Sequence, residues 1–66
     1  MNDMQKAKVR KMLEDMPVGR TFFASDLAVR FNRRGPTPSQ VGHFLRHTGM
    51  AEEAKLMIQG ILWRRV

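Results

Sequence analysis

Three local signals mark the start of a helix in the segment 37–48, TPSQVGHFLRHT. Thr37 is a good N-cap, Pro38 fits the first helical position, and Gln40 completes a Thr-x-x-Gln capping box. Apolar residues then recur at i, i+3 and i+4, with a threonine at i+7, and this spacing places them on one side of the helix. They are Val41, Phe44, Leu45 and Thr48. The sequence therefore predicts a helix with one face buried in a core.

The opposite face of this helix is polar and contains no carboxylate. It consists of Ser39, Gly42, His43 and Arg46, with Gln40 and His47 on its flanks. Gly42 is unusual, because glycine inside a helix costs about 1 kcal/mol relative to alanine. It is either a chance surface glycine or a sign that a partner lies close to the helix backbone. The major groove of DNA is the partner that suits these side chains.

The chain is strongly basic, and its positive charge is concentrated around this helix. Its formal net charge is +6 and its pI is near 11.3, which indicates attraction to a polyanion such as nucleic acid. No acidic residue lies between Asp26 and Glu52. That window contains Arg30, Arg33, Arg34 and Arg46.

A chain of 66 residues can form one small domain with a thin core, and it has no cysteine for a disulfide or a cysteine metal site. No apolar run approaches the length of a membrane span, and the N-terminus has no apolar signal region. We therefore expect one domain over residues 1–66 in a soluble cytoplasmic protein without membrane contact. It would be associated with the nucleoid if the source is bacterial, archaeal or phage.

The N-terminal part predicts a first helix over residues 3–16, ended by Pro17. Asn2 is its N-cap and Gln5 the matching capping-box residue. Its predicted core residues are Val9, Met12, Leu13 and Met16. Its opposite side, with Lys6, Arg10, Lys11 and Glu14, is interpreted as a solvated face.

A short extended segment at 20–22 and a second helix at 24–32 follow. The periodic residues of this helix are Ala24, Leu27, Ala28 and Phe31. The connection 32–36, NRRGP, breaks the helix with Gly35 and Pro36 and exposes two adjacent arginines. Helix, short basic turn and capped helix follow one another as in a helix-turn-helix unit.

Residues 24–48 resemble the helix-turn-helix of a small winged-helix DNA-binding domain. Ala28, Val41 and Leu45 occupy the packed positions, and TPSQVGHFLRH corresponds to the recognition helix. The connection NRRGP is longer than the turn of the compact repressor type, which favours the winged-helix variety. The resemblance implies an α+β fold of three helices and a small C-terminal β-hairpin. The alternative is an all-α helix-turn-helix bundle.

The C-terminal third leaves both folds open. Gly49 is placed to end the recognition helix, and a turn at Gln59 and Gly60 would give a hairpin. In that hairpin Ile58 faces Ile61, Leu56 faces Trp63, and Lys55 pairs with Arg64. The string AEEAKL at 51–56 also favours a helix. Because of Glu52 and Glu53, we expect the first strand to face away from DNA.

No pattern for catalysis emerges from the sequence. His43 and His47 have the i, i+4 spacing of metal ligands, but no cysteine or neighbouring carboxylate completes a tetrahedral site. There is no phosphate-binding glycine loop, and Ser25 and Ser39 are typical of helix starts. We expect a protein that is not an enzyme and has no catalytic residue, metal, cofactor or small-molecule substrate.

The resemblance implies sequence-specific binding of double-stranded DNA by a small transcriptional regulator. The residues expected to read base edges are Ser39, Gln40, His43 and Arg46. Those expected to hold phosphates are Arg30, Arg33, Arg34, Thr37, His47, Arg64 and Arg65. Two alternatives stay open: a protein-interaction winged helix that docks a partner through Val29 and the methionines, and an RNA-binding module. A specific DNA site would require a homodimer or a partner domain.

Overall fold

The computed structural model describes all residues from Met1 to Val66 and has three helices and three strands. The elements, in chain order, are α1 (Asp3–Glu14), β1 (Thr21–Phe23), α2 (Ala24–Ala28), α3 (Pro38–Thr48), β2 (Ala51–Met57) and β3 (Gly60–Arg65). The strands form one antiparallel sheet in the order β1-β3-β2. The fold is therefore α+β. The all-α alternative is wrong, because 51–57 pairs as a strand of this sheet.

The predicted caps of α1 and α3 are confirmed. The side chain of Asn2 accepts a hydrogen bond from the Gln5 amide at 2.8 Å, and Thr37 Oγ1 accepts one from the Gln40 amide at 3.2 Å. Gly49 ends α3 with φ of 68°, a left-handed conformation that glycine adopts at little cost. No helix combines the length and the apolar composition that a membrane span needs.

The second helix is shorter than predicted and ends at Ala28 instead of residue 32. The amide of Phe31 bonds to the Ala28 carbonyl, three residues back, so the chain continues as turns. Gly35 then folds back onto Phe31: a Cβ on Gly35 would lie 2.2 Å from Phe31 Cβ. This contact fixes the path of the arginine-containing loop that leads into α3.

The core is a single cluster of eight apolar side chains contributed by all three helices and by β1 and β3. Its members are Val9, Leu13, Phe22, Leu27, Val41, Phe44, Leu45 and Trp63. The predicted buried face of α3 is confirmed, and Met12 and Met16 pack against the cluster as partly buried residues. Phe22 was not predicted as core; it lies opposite Trp63 in the pairing of β1 with β3.

The predicted C-terminal hairpin is present, but its turn lies one residue earlier than expected. Met57 pairs with Gly60, so the turn residues are Ile58 and Gln59. Gly60 opens β3 with a positive φ of 129°, which glycine adopts readily, and it therefore follows the turn instead of forming it. Leu56 and Ile58 consequently lie beyond the core, with 79% and 104% of their surface exposed.

The cross-strand pairs of the hairpin also differ from the prediction. The expected pairs Ile58–Ile61, Leu56–Trp63 and Lys55–Arg64 are all wrong; Leu56 pairs with Ile61, Lys55 with Leu62, and Glu52 with Arg64. Besides the shifted turn, the register changes between Glu53 and Lys55, as in a β-bulge. The bulge brings Glu53 opposite Trp63, on the face of the sheet that carries the core.

Candidate nucleic-acid interface

The outward stripe of α3 is exposed along its length. Ser39, His43 and Arg46 are exposed at i, i+4 and i+7, and Gln40 and His47 are exposed beside them. The opposite face of the same helix, with Val41, Phe44 and Leu45, packs in the core. A regular helix with exposed hydrogen-bonding side chains is the type of element that can enter the major groove.

The sequence predicted Gly42 on the exposed side of α3, but the structure places it elsewhere. It is half-buried, and a Cβ on Gly42 would lie 3.9 Å from Ala24 Cβ at the start of α2. That distance is an ordinary van der Waals contact, so packing does not require glycine here. Gly42 lines a groove between α3 and the hairpin, together with Gln59 and Gly60.

Two of the four predicted base-reading residues have partners within the protein. Gln40 Oε1 accepts a hydrogen bond from the Thr37 amide at 2.9 Å, as part of the helix cap. Arg46 Nη2 lies 2.9 Å from Glu53 Oε1, in an ion pair that joins α3 to β2. Glu53 of β2 therefore lies next to the candidate interface, whereas the sequence predicted that this strand faces away from DNA. The reason is the bulge, which places Glu53 on the helix-facing side of the sheet.

Basic residues of α1 lie closer to α3 than the sequence indicated. Lys6 is half-buried and borders a small cleft with Ser39 and His43. The guanidinium carbon of Arg10 lies 5.2 Å from the centroid of the Phe44 ring. Both residues were interpreted as part of a solvated face. Their i, i+4 spacing was visible in the sequence, but the packing of α1 beside α3 was not.

The predicted phosphate-binding residues before and at the ends of α3 are exposed. They are Arg30, Arg33, Arg34, Thr37 and His47. The loop that carries the arginines has internal supports: Asn32 Oδ1 accepts a hydrogen bond from the Arg34 amide at 3.0 Å. Lys8 Nζ donates to the Arg30 carbonyl at 3.0 Å and lies 4.6 Å from the centroid of the Phe31 ring. These contacts hold a cationic loop directly before the N-terminus of α3.

The two arginines at the end of β3 have different surroundings. Arg64 is exposed and lies 3.2 Å from Glu52, on the face of the sheet opposite Glu53. Arg65 is half-buried, and its Nε donates to the Leu13 carbonyl at 2.7 Å. The structure thus gives Arg65 a role in joining β3 to the end of α1, where the sequence suggested a phosphate contact.

The two histidines of α3 face each other edge to face. The ring centroids of His43 and His47 are 4.9 Å apart, and the rings are inclined at 67°. No group of three histidine, cysteine, aspartate or glutamate side chains lies within reach of a common metal ion. The pair is a feature of the exposed surface of α3.

The stripe of α3 can thus donate and accept hydrogen bonds along one line, with cations beside and before it. In comparisons with known proteins, no family model, no curated protein and no solved structure matches this chain.

Proposed function

We propose that this protein is a winged-helix domain that binds double-stranded DNA sequence-specifically, as a small transcriptional regulator, with α3 in the major groove. The observation that carries this proposal is the exposed stripe of Ser39, His43 and Arg46 on a helix without any carboxylate. An α-helix fits the major groove, where such side chains meet base edges. Arg46 suits guanine, while Ser39 and His43 offer hydrogen bonds to bases.

The arrangement of the elements supports the same proposal. Two helices, α2 and α3, are joined by a basic loop and followed by the hairpin of β2 and β3. The hairpin turn borders the groove beside α3, so a ligand that lies on the stripe would also reach the hairpin. Three helices and a C-terminal hairpin are the parts that the resemblance to winged-helix domains implies.

The positive net charge supports a nucleic-acid partner, and the basic residues around α3 are candidates for phosphate contacts. With a net charge of +6, the protein would release counterions on binding a duplex, and its affinity would fall as salt rises. Arg33 and Arg34 on the loop would contact phosphates and set the orientation of α3. Lys6 and Arg10, which lie beside α3, are added to this group of candidates.

A protein partner is the second candidate, and the hairpin tip favours it. Leu56 and Ile58 are exposed by 79% and 104%, and Val29 at the end of α2 is exposed by 77%. Leu56 and Ile58 are two positions apart in the hairpin, and neighbouring exposed apolar residues often mark a protein interaction site. In that case the hairpin tip would bind the partner, and the stripe of α3 would be a solvated face.

A gel-shift titration separates these candidates. Random-sequence duplex DNA and a structured RNA are compared at low and at moderate salt. We expect a shift of the duplex at low salt that weakens as salt rises. Tighter binding to the RNA would support the RNA-binding alternative. Absence of binding to both nucleic acids would leave the protein-interaction module as the function.

A pair of matched variants tests whether α3 is the surface involved. Ser39→Glu places a carboxylate on the stripe, within the first turn of α3, where negative charge stabilises a helix. Val18→Glu adds the same charge to an exposed position in the loop between α1 and β1. We expect Ser39→Glu to abolish the shift, and Val18→Glu to weaken it slightly. Equal weakening by both variants would exclude α3 as the interface.

A further inference from the structure

The ion pair between Arg46 and Glu53 lies at the C-terminal end of the stripe of α3 that forms the proposed interface. Arg46 Nη2 and Glu53 Oε1 are 2.9 Å apart, with side chains 55% and 50% exposed. The two residues come from α3 and from β2, seven positions apart in the sequence. The pair therefore fixes the guanidinium of the one arginine on the outward stripe relative to the sheet.

Folding alone gives little reason for this pair. Exposed ion pairs contribute little to stability, because water screens them and two flexible side chains lose freedom. A carboxylate beside a DNA-binding helix also repels phosphates and lowers affinity for any duplex. Glu53 thus lowers affinity for any duplex and adds little to the stability of the fold.

We propose that Glu53 is a positioning residue that makes Arg46 selective for a base edge over the phosphate backbone. This inference rests on the proposed function, namely that α3 binds duplex DNA. Arginine has five N–H donors, and the bond to Glu53 uses one of them. The remaining donors can bond to guanine O6 and N7 while Glu53 holds the side chain in place.

A contact between Arg46 and a phosphate, in contrast, is not compatible with the undisturbed pair of Arg46 and Glu53. To reach the backbone, Arg46 has to turn away from Glu53 or bring the Glu53 carboxylate close to the phosphate. The first movement breaks the ion pair, and the second places two negative charges side by side. Glu53 therefore weakens binding to random duplex more than binding to the preferred site, which increases selectivity.

Glu52 provides a matched control for this proposal. It forms the same kind of pair, 3.2 Å from Arg64, with side chains of similar exposure. It lies next to Glu53 in β2, so its side chain is on the opposite face of the sheet, away from α3. Glu52→Gln and Glu53→Gln change the net charge by the same amount. A difference in their duplex binding is therefore due to the position of the carboxylate that is removed.

The experiment measures affinity for a random duplex by fluorescence anisotropy and base preference by selection from a random duplex library. We expect Glu53→Gln to bind random duplex about two- to fivefold more tightly than Glu52→Gln, the range that corresponds to loss of one exposed ion pair. We also expect the guanine preference at one position to weaken by a similar factor. In an Arg46→Ala background, Glu53→Gln should keep only the gain in affinity that comes from weaker phosphate repulsion, and neither glutamine variant should change the base preference.

The outcomes separate this inference from the proposed function. If the wild-type protein does not bind duplex, the proposed function fails and the inference fails with it. If the wild-type protein binds and both glutamine variants gain affinity equally with unchanged base preference, only the inference is overturned. Weaker binding of the random duplex by Glu53→Gln than by the wild type would also overturn it, since Glu53 would then favour binding to any duplex. Unfolding midpoints of both variants, followed by Trp63 fluorescence, verify that each is folded.

Discussion

Arg65→Ala is expected to destabilise the fold substantially, although the residue lies near the C-terminus. Its Nε donates to the Leu13 carbonyl at 2.7 Å, and its Nη1 lies 3.5 Å from the Met50 carbonyl. A hydrogen bond that involves a charged group contributes about 1.5–3 kcal/mol to stability. We therefore expect the free energy of unfolding to fall by about that amount. For a domain of this size, the thermal midpoint would fall by roughly 6–24 °C.

Arg64→Ala is the control, because Arg64 is exposed and pairs only with Glu52 across the strands. Loss of such a pair costs about 0.2–1 kcal/mol. Urea unfolding followed by the fluorescence of Trp63, which is 2% exposed, measures both variants with the same probe. An Arg65→Ala variant that unfolds like Arg64→Ala would show that the bond from Arg65 to Leu13 does not stabilise the fold. If Arg65→Ala, under conditions in which it stays folded, weakens binding to all duplexes, Arg65 is a phosphate contact, as the sequence alone suggested.

Three further substitutions test the packing, each by urea unfolding. Leu45→Asp should abolish the cooperative transition, because it places a carboxylate at a fully buried position of the core; a transition near that of the wild type would show that α3 faces the other way. Gly42→Ala should stabilise the protein by about 0.5–1 kcal/mol, since the added Cβ meets only Ala24, at 3.9 Å. Gly35→Ala should destabilise it by about 1–3 kcal/mol, since its Cβ would lie 2.2 Å from Phe31 Cβ. The reverse order of the two glycine variants would contradict the described packing of the loop and of α3.

Features that depend on neighbouring residues were predictable from the sequence. The start of α3 follows from Thr37, Pro38 and Gln40, whose side chains and backbone interact within one helical turn. Its end follows from Gly49, and its buried face from the spacing of apolar residues. The exposure of Ser39, His43 and Arg46 could therefore be predicted from the sequence, whereas Gly42, predicted on the same face, is half-buried next to Ala24.

Features that depend on distant residues were not predictable in this way. The turn of the hairpin was placed at Gln59 and Gly60, because a glycine within a turn and a glycine that follows it look alike in sequence. The bulge that turns Glu53 toward α3 depends on the pairing of β2 with β3. The contact of Arg10 with Phe44 depends on how α1 packs on α3. These three arrangements decide which charges surround the stripe.

The most direct test of the account compares Arg46→Ala with a double Arg33→Ala and Arg34→Ala variant in duplex binding. Arg46→Ala should cost about 1–3 kcal/mol at the preferred site and relax selection at one base pair. The double variant should weaken binding to all duplexes by a similar factor and flatten the salt dependence by about one to two units of slope. If Arg46→Ala instead lowers specific and random binding equally, and the double variant changes the sequence preference, the roles of helix and loop are reversed. If neither substitution changes duplex binding, α3 does not read DNA.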